Sequence, residues 1–373
     1  MTFLPYFTTI SSYPDFTTSE QKLECISSYF FKLKDNIDKY HFLSFISYHV
    51  ESGKLKTSWV EKKLFFSLFK ACVKSSFFCD RIKFDFGNTF AYIDYNKKIA
   101  KGGYGSIYNG LYKATHKTNS GTTYFHDDIV MKILHNSEDD LQQLLCGFKE
   151  IEILKSLSDS NYTSKYYESC LFFDNKGKIN VAIFLKKLNT SWRKSGKLIM
   201  DVLCELFEAL DFIQKRGICH NDLKDNNIVL GDDNRLKLID FGVSFFYDTK
   251  TCSTSLLSSN LHANQIALSL PLLKSPVDNT KISHADKIDI WSLGILCGSL
   301  IFKQDQFNFD IFFENYTPKI STITKVVFLD SVLDHVKNTK DLNCFYPILN
   351  GCLNENPKDI CSLSELESFL FEP

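Results

Sequence analysis

The chain has 373 residues, 44% of them hydrophobic, enough for two cores or for one core with an extension. A formal net charge of -1 gives no basic footprint of the kind that nucleic-acid binding needs. Its twelve cysteines are spread from Cys25 to Cys361 with no CxxC, which argues against a disulfide framework or a zinc site and for reduced thiols in a cytoplasmic or nuclear compartment.

The N-terminal "MTFLPYFTTISSYPDF" lacks a basic region and an uninterrupted apolar run, so no signal peptide is expected. The longest apolar window, "IWSLGILCGSLIF" (Ile290 to Phe302), is too short to span a membrane and reads as a buried helix. From Thr17 to about Cys79 the pattern is helical. Leu23, Ile26, Phe30, Leu33 and Ile37 recur at steps of three and four behind a capping box of Thr17 and Glu20. A second helix, after Ser58 and Glu61, carries Val60, Leu64, Leu68 and Cys72 on one stripe. Residues 1–90 therefore read as a helical extension that packs on the rest or docks a partner. The "FDFG" at Phe84 to Gly87 reads as a linker turn.

Near Ala91 the texture changes. "AYIDYNKKIA", "SIYNGLYKA" and "DIVMKIL" are short, β-branched and aromatic, as strands are. "SEDDLQQLLCGFKEIEILKSL" follows as a helix, with Ser137 as its cap and Leu141, Leu144, Leu145, Phe148 and Ile151 on one face. Two more strand-like runs come next, "KYYESCLFF" and "INVAIFLKKL", and after about Asn189 the chain reads mainly as helix. A sheet-rich unit (91–188) before a helical one (189–373) predicts an α+β, two-lobed layout.

Four stretches carry chemistry. "AKGGYGSI" (Ala100 to Ile107) lies between two predicted strands, and glycines at Gly102, Gly103 and Gly105 let backbone N–H groups approach phosphate oxygens. Lys132, in "IVMKIL", sits mid-strand and needs an anion to offset its desolvation. Glu150 and Glu152 both lie on the following helix, and Glu150 is favoured because it directly precedes the run "IEIL". "HNDLKDNNIVL" (His220 to Leu230) puts Asp222, Lys224 and Asn227 within six residues, a polar density that packing does not explain. "LKLIDFG" is a strand that delivers Asp240.

In that order, with "DIWSLG" (Asp289 to Gly294) behind them, these stretches resemble the signature set of the eukaryotic protein kinase family from about Tyr92 onward. The resemblance implies the kinase fold, with a small β-rich lobe holding one long helix and a larger helical lobe. It also implies a Mg²⁺-dependent transfer of phosphate from ATP to a protein. On that reading Ala100, Gly102, Gly103 and Gly105 cover the phosphates; Ile107, Val130 and Val229 sandwich the adenine; and Lys132, held by Glu150, contacts the α- and β-phosphates. Asn227 and Asp240 ligate Mg²⁺, Asp222 takes the proton of the acceptor hydroxyl, and Lys224 stabilises the group in transfer and favours serine or threonine. The first "FDFG" has no catalytic loop ahead of it, so only Asp240 is expected to hold metal. The short connection from Lys187 to Lys197 resembles that of compact kinases of viruses and intracellular pathogens.

The chain departs from the family at three places. Ala100 replaces the first glycine. Asn221 replaces the arginine that pairs with a phosphorylated activation segment, which predicts activity without that phosphorylation although "TKTCSTSLLSS" (Thr249 to Ser259) is rich in hydroxyls. "SPV" ends in Val277 where the family has glutamate, and Ile360 stands near the place of its arginine partner, so an apolar contact is expected to replace the ion pair. Two rival readings are a pseudokinase scaffold, which usually loses residues of the Lys132, Asp222 or Asp240 type, and a small-molecule kinase of the choline or aminoglycoside kind, which lacks the "DIWSLG" helix.

Overall fold

A computed structural model describes residues 83–85, 89–101, 105–118, 121–134, 141–173, 179–188, 190–255, 281–302, 322–354 and 356–371. The expected helices of residues 17–79, the caps at Thr17, Ser58 and Ser137, Gly102, Gly103 and Val277 all lie outside the described residues. Contacts divide the chain into two compact units. One comprises residues up to Glu152 together with Tyr166–Lys187, and the other Ile153–Lys165 together with Leu188 onward.

The first unit is built on a six-stranded antiparallel sheet: β1 (Lys83–Asp85), β2 (Thr89–Lys101), β3 (Gly105–Thr118), β4 (Gly121–Leu134), β6 (Ile179–Lys186) and β5 (Tyr166–Phe173), in that spatial order. Alternation assigns its two faces, because residues directly opposite each other on paired strands point the same way. Ala91, Ile93, Tyr112, Ile129, Met131, Ile133, Cys170, Ala182 and Phe184 form the apolar core on one face. The other face carries Ile107 opposite both Ala100 and Lys132, and Val130 opposite both Asn109 and Leu185. Helix α1 (Leu141–Ser156) follows β4 and buries Lys149, Glu150 and Ile151.

Two sequence expectations need correction here. Phe84 and Asp85 do not form a linker turn: Lys83–Asp85 pairs with Tyr92, Ala91 and Phe90 as an edge strand, because the neighbouring strand offers its backbone groups a partner. Gly105, read as part of a loop, is the first residue of β3 and lies opposite Leu134. A Cβ there would run into the carbonyl oxygen of Ile133, so the sheet itself demands glycine at this position.

The second unit is mainly helical. Helix α2 (Ile199–Gln214) buries Val202, Leu206, Ala209, Leu210 and Ile213 on a stripe of period 3.6. Helix α3 (Ala285–Ile301) is buried almost all round, as a central helix of a bundle must be. It touches α2 and α5 (Tyr346–Cys352); α5 in turn touches α4 (Thr322–Asn338) and α6 (Leu363–Phe371). The approach of α3 to α5 depends on Gly294, where a Cβ would sit 2.5 Å from Cys352 Cβ. Ile360, just before α6, is buried. Among the described residues the cysteines carry free thiols, and no helix is long and apolar enough to cross a membrane.

Three small sheets organise the polar segment between α2 and α3. Strand β8 (Ile218–Cys219) pairs with β11 (Phe245–Phe246). A hairpin of β9 (Ile228–Leu230) and β10 (Leu236–Leu238) is extended by β7 (Thr190–Ser191). Strand β12 (Thr254–Ser255) pairs with β13 (Lys281–Ile282).

Candidate active site

In the first unit Lys132 Nζ lies 2.6 Å from Glu150 Oε1, with side chains 11% and 2% exposed. The pairing follows from local structure. Alternation on β4 sends Lys132 to the face opposite the apolar core, and the turn of α1 that buries Glu150 leaves Glu152 only partly covered. The carboxylate within contact distance offsets the desolvation of a lysine this enclosed. Ala100, Ile107 and Val130 share its face, so the register alone assembles a small apolar platform beside a cation.

In the second unit the polar loop is held from several sides. The β8–β11 pair fixes its start and the β9–β10 hairpin fixes its end, where the Ile239 N–H donates to the Asn227 carbonyl at 3.0 Å. Asp222 accepts from Lys224 Nζ through both oxygens, at 3.0 and 2.9 Å, and from Asn227 Nδ2 at 2.8 Å. Asn227 Nδ2 also donates to the Asp222 carbonyl at 2.8 Å. A carboxylate can only accept, so this partner sets the orientation of the amide and makes Oδ1 the atom that Asn227 presents elsewhere.

His220, fully buried, is fixed at both ring nitrogens. Nδ1 accepts from the Asp222 backbone N–H at 3.3 Å, which leaves Nε2–H to donate to the Ile239 carbonyl at 3.1 Å. One imidazole thereby ties the loop before Asp222 to the strand end before Asp240. Phe241, beside Asp240, packs its ring 4.7 Å from that imidazole. Asp240 itself is exposed and takes a left-handed backbone, φ 66°.

Two residues of this site stand within the quoted motifs but had no role assigned to them there. Asp289, on α3, accepts the backbone N–H of His220 at 2.7 Å and of Asn221 at 2.8 Å. Burial holds its carboxyl above the ordinary aspartate range, although the two N–H groups it accepts act in the opposite direction. The available signal was an aspartate directly before the apolar run "IWSLGILCGSLIF". Asp225 receives Trp192 Nε1 at 2.8 Å and Arg193 Nε at 2.9 Å, which braces the loop from the segment before α2.

Asn221 has φ 63°, a conformation that asparagine tolerates better than most residues, and its Nδ2 donates to the Val243 carbonyl at 3.1 Å. Val229 lies on β9, partly buried.

Residues 93–370 match the family model for the protein kinase domain. The chain belongs to the protein kinase family. Similar proteins include a Dictyostelium discoideum protein named as a probable serine/threonine-protein kinase, 26% identical over 71% of this chain and 60% of its own length. The Drosophila melanogaster serine/threonine-protein kinase hippo is 28% identical over 53% of this chain and 27% of its own. The Aurora/IPL1-related protein kinase 2 of Caenorhabditis elegans is 25% identical over 75% of this chain and 83% of its own. The chain thus spans less than two thirds of the length of the first two of these relatives. Within the kinase match fall Lys132 and Glu150, the loop of Asp222, Lys224 and Asn227, and Asp240.

Proposed function

We propose that this kinase transfers the γ-phosphoryl group of ATP to serine or threonine hydroxyls of protein substrates, in a cytoplasmic setting. The observation that carries the reading is the Asp222 carboxylate held by Lys224 and Asn227, an acceptor fixed where a hydroxyl proton can be taken. Lys224, at 2.9 Å from that carboxylate, is placed to follow the phosphoryl group as charge develops on its oxygens. Lys132, neutralised by Glu150, contacts the α- and β-phosphates, and Ile107, Val130 and Val229 enclose the adenine. Ala100 and the glycines 102, 103 and 105 cover the phosphates. The names of the Dictyostelium and Drosophila relatives support serine and threonine as acceptors.

Asn227 and Asp240 suit a hard cation, since each offers oxygen and the amide of Asn227 is already oriented to do so. Two protein ligands are enough for Mg²⁺, which keeps waters and binds substrate phosphates, and among the described residues no group of three or more metal-ligating side chains gathers. When bound, that ion supplies neutralisation of phosphate-oxygen charge.

A peptide array incubated with radiolabelled ATP and Mg²⁺, beside choline-like alcohols, tests the reading. Label on serine or threonine peptides is expected. Label on alcohols alone makes the chain a small-molecule kinase, and ATP binding without turnover makes it a pseudokinase.

Activity does not need phosphorylation of the activation segment. Asn221 offers no cation to a phosphate, and its amide is used on the Val243 carbonyl. The variant with alanine at Thr249, Thr251, Ser253, Thr254 and Ser255 is expected to label peptides at the rate of the parent. An inactive but folded variant would refute this.

A further inference from the structure

The strand pair that enters the polar loop is short. Phe246 stands opposite Ile218 and Phe245 opposite Cys219, and there β8 and β11 end. The same register would next set Ser244 opposite His220 and Val243 opposite Asn221. The N–H groups of His220 and Asn221 turn to the Asp289 carboxylate instead, at 2.7 and 2.8 Å. Side chains continue the pairing. Ser244 Oγ, fully buried, donates to the His220 carbonyl at 2.7 Å, and Asn221 Nδ2 donates to the Val243 carbonyl at 3.1 Å. The two bonds are reciprocal, since each segment sends one side chain to the main chain of the other.

These bonds flank the two acids assigned to the reaction. Asn221 directly precedes Asp222. Val243 and Ser244 belong to the turn that directly follows Asp240, closed by the Ser244 N–H on the Phe241 carbonyl at 3.1 Å. On the other side of Asp240, the Ile239 carbonyl accepts from His220 Nε2 at 3.1 Å. The chain is therefore fastened both before and after Asp240 to one dipeptide, His220–Asn221. We propose that Asn221 and Ser244 are positioning residues, which lock the turn after Asp240 to the residues before Asp222 so that the two acids are held as one body. The proposal rests on the roles given above to Asp222 and Asp240. Asparagine suits position 221 twice over, because its amide supplies the donor and its backbone tolerates φ 63°. Such a lock matters for rate, since a misplacement of about 1 Å at a reacting group costs about 10²-fold.

The test uses the full chain with Asn221→Gly and Ser244→Ala, singly and together. Glycine suits the backbone at 221, so the first variant removes the amide without adding strain. Each single variant is expected to slow transfer from the bound complex by about 10–100-fold, with KM for ATP and for the peptide unchanged. The double variant is expected to fall well short of the product of the two effects, because both bonds serve one lock. Amide hydrogen exchange needs no turnover. Over residues 240–247 it is expected to quicken about fivefold, as the loss of one net hydrogen bond gives, while α3 keeps the rate of the parent. If the parent transfers phosphate and both variants match it, or if exchange over 240–247 does not change, this proposal alone is overturned. Faster exchange in α3 as well would reduce the two residues to general support of the fold and overturn it too. A parent that labels no peptide would overturn the roles of Asp222 and Asp240, and the positioning role with them.

Discussion

Asp222→Asn is expected to lower phosphoryl transfer by about 10²–10⁴-fold, the range lost with a general base, while leaving the fold and ATP binding intact. The geometry gives the reason. Asp222 is surrounded by donors, with Lys224 Nζ at 2.9 and 3.0 Å and Asn227 Nδ2 at 2.8 Å. An amide at 222 can accept through one atom only, and its NH₂ would then face another donor. The variant loses the group proposed to take the proton and also the partner that orients Asn227. Single-turnover labelling of a peptide, with nucleotide binding followed separately, distinguishes this from unfolding. A rate within tenfold of the parent would remove Asp222 from the chemistry.

The second large effect is on stability. Asp289→Ala leaves the N–H groups of His220 and Asn221 buried without an acceptor, since Asp289 is 1% exposed and both bonds point into the core. Each orphaned donor costs about 1–3 kcal/mol, so a loss on the order of 3–5 kcal/mol is expected in denaturant unfolding. Asp289→Asn keeps one accepting oxygen and should lose roughly half as much. A loss below about 1 kcal/mol for the alanine variant would mean that the loop is held by other contacts. Because His220 also ties the loop to Ile239, the alanine variant is expected to lose transfer activity along with stability.

The sequence revealed most where local chemistry decides the structure. Alternation in "SIYNGLYKA" and "DIVMKIL" located β3 and β4, and the apolar stripe from Leu141 to Ile151 located α1. The strand ends were less visible. Residues 115–118 and 121–123 carry no apolar side chain, yet they continue the hairpin to Thr118 opposite Gly121, because cross-strand backbone hydrogen bonding does not require an apolar face. The β1 edge strand and the bulge after Asp94 depend on a partner strand that no local window contains. The choice between Glu150 and Glu152 rested on one neighbouring apolar run, and the structure places Glu150 against Lys132. Asp289 was seen as part of a motif, but that its carboxylate holds two backbone N–H groups of a loop 68 and 69 residues away became visible only in three dimensions.

Asp240 sits on the strained side of the backbone map. A non-glycine residue at φ 66° loses roughly 1–2 kcal/mol relative to right-handed geometry, and glycine there would relieve it. Glycine would also delete the only carboxylate between Asp233 and Asp248. Folding and the proposed metal site therefore favour opposite residues at this one position, and a screen for heat resistance alone would select against the carboxylate assigned to Mg²⁺ in that proposal.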